Sequence, residues 1–319
     1  MLARTANELY WMARHIERAE NIARLLDVTW RTSLLPYDVQ EVGADWAEPW
    51  AVPLVTTGTA TAYYATHPLV TDDDVLRFLI LDPYNPSSIY SCLRAARESA
   101  RTVRGAITSE MYEDLNAAWL EMRDRDYGSL EATGMQAFCE WVKMRSHTFR
   151  GVTFGTMLRG EEYDFIRLGT HIERADNTAR ILDTKYHLLL PSAADVGGVV
   201  DYYQWASLLQ SVSGLEAYRK IYSDVITPRR VAEMLVLRDD VPRSLHSCMN
   251  LIDATLGDLA APARNDELLR LAGELHARLH YGRTEDVMSV GLHEYLMDFL
   301  ERISALGDEI SRRYLVPVD

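Results

Sequence analysis

Lysine is almost missing from this chain. Of 319 residues only Lys143, Lys185 and Lys220 are lysine, so the 33 basic residues are nearly all arginine, set against 47 acidic ones for a net charge of −14. That balance excludes a general nucleic-acid binder, and an acidic surface by itself confers only solubility. The preference for arginine suits planar, bidentate pairing with carboxylate or phosphate, although a base-composition bias would produce it equally well. Cys92, Cys139 and Cys248 are too few and too scattered for a disulfide framework or a zinc site. No stretch is apolar for long enough to span a bilayer, and residues 1–8 contain no signal-like apolar run. The expectation is a cytoplasmic protein without a membrane segment. There is no phosphate-binding glycine loop, no dinucleotide fingerprint and no His-Glu-x-x-His, and the paired Glu-x-x-His of di-iron bundles is also missing. Neither a cofactor nor a metal is therefore expected. No run of alternating β-branched residues is bounded by turns, which excludes a sheet and makes the fold class all-α.

What the chain has is a repeat. His15 to Asp27 reads His-Ile-Glu-Arg-Ala-Glu-Asn-Ile-Ala-Arg-Leu-Leu-Asp, and His171 to Asp183 matches it at ten of thirteen positions, 156 residues later. Each copy sits in a long amphipathic pattern. Leu9, Met12, Ile16, Ala19, Ala23, Leu26 and Trp30 recur at spacings of three and four, as do Phe165, Leu168, Ile172, Ala175, Ala179, Leu182 and Tyr186. The alanines make these stripes candidates for a close central contact. Off the stripe, Glu17, Asn21 and Arg24 share one side of the helix, with Arg14 and Arg18 beside them. The second copy keeps Glu173, Arg174, Asn177 and Arg180, while Arg14 becomes Thr170. Retained polar identity has two readings: a buried ion-pair network that pins helix register, or a ligand site lined by both copies.

Further matches follow at nearly one offset. Thr227 answers Thr71; Pro242, Ser244 and Cys248 answer Pro86, Ser88 and Cys92; Gly291 answers Gly134. The chain thus reads as a tandem-duplicated helical bundle with pseudo-two-fold symmetry, repeats 1–156 and 157–319 forming one intimately packed body. In the first half the pattern predicts a helix capped by Thr5 with Glu8 and ending near Ser33. A loop at 36–49 and an imperfect helix at 50–66 follow. Thr71 caps a helix carrying Val75, Phe78, Leu79 and Leu81 inward. Asn85, with Pro86 in the first turn, caps a helix to about Arg104. A helix from Thr108 or Ser109 reaches Met122, then comes a polar connector at 123–133, a helix from Met135 to Thr148, and a joining segment at 151–160. The second motif helix starts near Glu162, and the loop at 191–198 answers that at 36–49.

Several other groups are candidates for chemistry. Arg94, Arg97, Arg101 and Arg104 form a row at helical spacing, with Glu98 among them. The row is either a solvated, paired face or an anion site, and it is one-sided, since Asn250, Asp253, Gly257 and Ala260 stand at the equivalent positions. Cys92 and Cys248 are equivalent, but cysteine is commonly a small buried hydrophobe. His15 and His171 are repeated and are expected to be hydrogen-bonded structural residues. His276 and His280 sit one helical turn apart, and without a third ligand in view they read as surface histidines.

At His15–Arg24 and His171–Arg180 the chain resembles the alpha-E family, an all-helical domain with a Glu-Arg motif in tandem. Glu17-Arg18 and Glu173-Arg174 match the motif, and Ser88–Arg104 looks like the family's first repeat, with Ser99 where asparagine is expected. The resemblance covers essentially the whole chain. It implies an association with peptide synthesis or modification, whose companions are circularly permuted ATP-grasp carboxylate–amine ligases, transglutaminase-like proteins and a proteasome-like NTN hydrolase. The expected role is an accessory or substrate-holding component beside an ATP-grasp ligase. One alternative is a stand-alone helical enzyme with Glu17 or Glu173 as acid–base group and Arg18, Arg97, Arg101 or Arg174 holding a carboxylate or phosphate. Another is a purely structural interaction protein.

Overall fold

A computed structural model describes residues 1–33, 49–187, 198–260 and 266–315. The loops expected at 36–49 and 191–198 lie almost wholly outside the described residues. Among those, sixteen α-helices and no strand occur, so the chain is all-α. The first half contributes α1 (Ala3–Ser33), α2 (Ala51–Thr56), α3 (Ala60–Tyr64) and α4 (Asp72–Leu76). It continues with α5 (Ile89–Thr102), α6 (Ser109–Arg123), α7 (Tyr127–Thr133) and α8 (Met135–Thr156). The second half contributes α9 (Glu161–His187), α10 (Val199–Ser211), α11 (Leu215–Tyr222) and α12 (Pro228–Ala232). It closes with α13 (Leu245–Leu259), α14 (Glu267–His280), α15 (Thr284–Val290) and α16 (Leu292–Ile310). Eight helices recur in the same order, and from α4 onward equivalent starts lie 156 to 158 residues apart.

Equivalent positions use the same local chemistry. Thr71 and Thr227 cap α4 and α12 by accepting the backbone N–H of Asp74 and Arg230. Ser88 and Ser244 do the same for α5 and α13. Gly134 and Gly291 precede α8 and α16 with φ of +88° and +100°, a region that disfavours any side chain. α4 and α12 each run on into a π-helical turn, Arg77–Leu81 and Glu233–Leu237. Each turn puts three successive apolar residues inside, Phe78 to Ile80 and Met234 to Val236.

Five boundaries differ from the sequence pattern. α1 starts before Thr5, because Ala6 N–H already bonds to Leu2 C=O. The stretch 50–66 is two short helices parted at Gly58, whose φ is +68°. The cap before α5 is Ser88 and not Asn85, which instead bonds the Phe78 carbonyl and the Ser87 amide. The connector 123–133 holds α7, fastened by a reciprocal capping box between Asp126 and Ser129. α8 runs through Gly151 and Gly155 to Thr156, so the expected joining segment is mostly helix.

The core is one cluster drawn from both halves. Leu9, Met12, Ile16, Ala19, Ala23 and Leu26 are buried, and so are their equivalents from Phe165 to Leu182. The tight crossing of the motif helices, however, is not at the alanines. It lies at Gly169, where an added Cβ would meet Tyr10 O at 2.3 Å and Ala13 Cβ at 3.3 Å. Tyr10 and Ala13 stand on a different side of α1 from the alanine stripe. That side carries Arg14, Glu17 and Arg18, so the polar motifs themselves face each other.

Candidate functional site

Each motif glutamate is held by the arginine of the other copy. Arg174 donates from Nε to Glu17 Oε1 and from Nη2 to Oε2, both at 2.9 Å. Arg18 donates from Nε to Glu173 Oε1 at 2.6 Å and from Nη2 to Oε2 at 2.9 Å. These are planar, bidentate pairs of the kind arginine forms best. Glu and Arg are adjacent in sequence and point to neighbouring sides of one helix, and here a facing copy of the same helix completes both.

Around this reciprocal core the two ends differ. On Glu17, Arg150 of α8 adds a bond at 3.0 Å and Arg243, just before α13, approaches at 3.1 Å. Arg243 also bonds Asn21 Oδ1 and Glu20 Oε1, at 2.9 and 2.6 Å. Glu20 is fully buried and further accepts from Arg24, Arg150 and Ser146. On Glu173 the extra partner is Arg14, whose Nε donates to Oε2 at 2.7 Å. Asp176, equivalent to Glu20, hydrogen-bonds only Arg180 among the described residues.

Electrostatics follow from these contacts. Burial alone would raise Glu17, but Arg174 and Arg243 outweigh it and hold the carboxyl down to about 2. Burial is likewise outweighed at Glu173, where Arg18 and Arg14 hold it down to about 2. At Glu20, His147, Arg243, Arg150 and Arg24 together overcome burial and keep the group well below the usual carboxylate range. Burial pushes the thiols of Cys92 and Cys248 up to about 12, so neither is a thiolate nucleophile. Burial also pulls His15 and His171 down to about 4 and about 3. Contrary to expectation, Nδ1 of each is buried without a hydrogen-bond partner.

Two cavities border the motif helices. One, of about 610 Å³, is lined by Arg14, Arg18, Asp176, Asn177, Arg180 and Gly307, among others. The other, of about 770 Å³, lies beside Arg150, His171 and Arg174. Eight of the expected residues therefore converge: Glu17, Arg18, Asn21, Arg24, Glu173, Arg174, Asn177 and Arg180 all lie along the facing helices α1 and α9. The arginine row does not join them. Arg97 bonds Asn116 and pairs with Glu98, Arg101 pairs with Glu98, Arg94 bonds the Pro83 carbonyl, and Arg104 lies over the Tyr112 ring. None of the four lines either cavity.

Sequence reasoning did not select Glu20, Ser146, Arg150 or Arg243. Glu20 lies inside the repeat, as Asp176 in the second copy, and carried a readable signal. Arg150 and Arg243 have Gly307 and Ser87 at the equivalent positions, so the repeat could not reveal them. A third histidine was also missed. His246 on α13 joins His276 and His280 of α14, with one ring nitrogen of each lying within 4.8 Å of the others.

The model of a family described as a predicted alpha-helical domain with a conserved ER motif matches residues 1–315. An uncharacterized protein of Mycobacterium bovis and two of Mycobacterium tuberculosis are each 25% identical to the chain over 321 aligned residues. The match covers 95% of this chain and 35% of each relative, so the chain spans about a third of the length of the curated relatives it matches. No solved structure matches.

Proposed function

The chain belongs to the Alpha-E family, and from that premise we propose that it is a non-catalytic, substrate-holding component of an ATP-dependent amide-bond-forming or peptide-modifying system. It works beside a circularly permuted ATP-grasp ligase, which supplies the ATP site that this sequence lacks. A transglutaminase-like protein and a proteasome-like NTN hydrolase are its further companions in this reading. The observation that carries this reading is the saturation of the two motif glutamates. Each has both oxygens taken by arginines and stays ionised. A group in that state neither donates a proton nor accepts one readily, whereas the arginine edges beside the cavity remain able to position a ligand. The further length of the mycobacterial relatives also supports a chain that acts next to other polypeptide.

The open cavity beside Glu173 is what a stand-alone enzyme would also need, and it is the observation favouring that second reading. A carboxylate held down to about 2 is a weak base, however, and Glu173 would have to release Arg18 before reacting. The deciding experiment reconstitutes amide formation by the partner ligase with and without this chain. Dependence on the chain, reduced through KM by Arg18→Ala, is the expected result. Ligation proceeding unchanged when the chain is omitted would end the proposal, and turnover by the chain alone would favour the enzyme.

A further inference from the structure

The two ends of the reciprocal network differ in one respect that identifies a ligand. We propose that the cavity beside Asp176 binds a small molecule bearing a guanidinium or primary ammonium group, which takes the place that two arginine side chains fill at the other end. This rests on the substrate-holding reading for its biological use and adds the charge of what is held; the binding itself requires no ligase.

Equivalent positions are set by the offsets of 156 and 157 residues between matching helices. Glu20 and Asn21 correspond to Asp176 and Asn177. His147 and Arg150 on α8 correspond to Ser304 and Gly307 on α16, and Arg243 corresponds to Ser87. At the first end, Glu20 and Asn21 are covered by the guanidinium groups of Arg150 and Arg243. At the second end those groups are absent, and Ser87, Ser304, Gly307, Asp176 and Asn177 all line the cavity of about 610 Å³. The Asn177 side chain has no hydrogen bond among the described residues, whereas its equivalent accepts one from Arg243. Asp176 has spare acceptor capacity beyond the one arginine it pairs with, since a carboxylate offers about four lone-pair directions.

Charge agrees with shape. At the first end the two carboxylates Glu17 and Glu20 support four guanidinium groups, those of Arg24, Arg150, Arg174 and Arg243. At the second end Glu173 and Asp176 support three, those of Arg14, Arg18 and Arg180. A further acid, Asp308, stands on the cavity wall where the first half has Gly151, and it has no ion pair among the described residues. A site that has exchanged two arginines for serine and glycine and gained an aspartate accommodates one more cation. The size suits a ligand of amino-acid dimensions.

The test is calorimetric titration of the purified full chain with L-arginine, with L-citrulline as the neutral molecule of the same shape, and with succinate as an anion. Arginine is expected to bind at least ten times more tightly than citrulline. Asp176→Asn is expected to weaken arginine at least tenfold. Gly307→Arg is expected to abolish binding with little change in Tm, because a Cβ there meets nothing within 4 Å and the new side chain enters the cavity as Arg150 does in its own half. Equal binding of arginine and citrulline, binding of succinate alone, or arginine binding that survives Gly307→Arg would each overturn the proposal. Any of these outcomes leaves the ligase-dependence experiment to be read by itself.

A different observation carries a second inference. The geometry points to a late first-row divalent metal site at His246, His276 and His280. His246 is buried, and its Nδ1 bonds the Leu237 carbonyl at 2.7 Å, which requires N–H there and leaves a lone pair on Nε2. That Nε2 is buried without a partner. His276 Nε2 bonds Asn250 Oδ1 at 2.7 Å, which places the N–H there, and its Nδ1 makes no hydrogen bond among the described residues, with Asp253 Oδ2 standing 3.9 Å away. His280 completes three imidazoles on two packed helices, the donor set preferred by Zn²⁺, Ni²⁺ and Cu²⁺. Ring partners that orient metal-bound histidines in this way are the usual supporting shell. Titration of the metal-stripped chain with ZnCl₂ is expected to give one tight zinc per chain, lost in His280→Ala and His276→Ala while Tm without metal is unchanged. Zinc binding equal in the variants and the parent chain, or no binding at micromolar zinc, would overturn it.

Discussion

Glu17 shows what a buried carboxylate needs in this fold. It is 1% exposed and faces Arg174, Arg150 and Arg243. Glu17→Gln removes the counter-charge of those arginines without changing shape, and breaking buried pairs in this way costs about 3–5 kcal/mol. Glu173→Gln is expected to cost less, because Arg14 and Arg18 are 17% and 23% exposed and reach solvent through the cavity. Urea denaturation of the two variants gives the order. The same groups set the response to acid. His15 and His171 bind a proton less readily in the folded chain than at the ordinary value of 6.5, so their contribution is complete above that pH and is lost as pH falls towards about 4 and 3. The two motif glutamates, ordinarily at 4.5, contribute fully above that pH and lose their contribution as pH falls towards about 2. Stability should therefore decline over two overlapping stretches on acidification, and His15→Gln with His171→Gln should flatten the part above pH 4.5 in a Tm–pH series. A histidine repeated in sequence signals constraint, but only the packing around it reveals that Nδ1 has no partner.

Helix contacts are decided by small residues at chosen places. Gly169, 156 residues after Ala13, lies so near it that an added Cβ would come within 3.3 Å of the Ala13 Cβ. Gly169→Val would drive a side chain into the Tyr10 carbonyl and is expected to destabilise by at least ~2 kcal/mol. Gly151→Ala, in α8 where a Cβ meets open space, is expected to stabilise by about 0.5–1 kcal/mol. Thermal denaturation of both variants tests the contrast. Residues 151–160, a joining segment by sequence, are helical as far as Thr156. Their helix holds because α8 packs on α1, an interaction that local propensity does not contain.

The two halves supply each other's charges, and this bears on the molecule as a whole. Separated after Thr156, fragment 1–156 would leave Glu17 and Glu20 without Arg174 and Arg243, and fragment 157–319 would leave Glu173 without Arg14 and Arg18. The uncovered faces of α1 and α9 would also meet water. Neither fragment is expected to show a cooperative unfolding transition alone, whereas an equimolar mixture should recover helical circular dichroism and one transition. Two independently cooperative fragments would instead establish two separable domains.

From residue order alone came the all-α class, the doubling, the caps at Thr71 and Thr227, and the motif residues that converge on α1 and α9. Those features depend on local spacing and on comparison of one half with the other, both of which a linear text preserves. The crossed pairing of Glu17 with Arg174 and Glu173 with Arg18, the recruitment of Arg150 and Arg243, and the cavity where Gly307 and Ser87 stand were decided by tertiary structure. They depend on which helices pack together and on where the two halves differ, and a repeat displays only what its copies share.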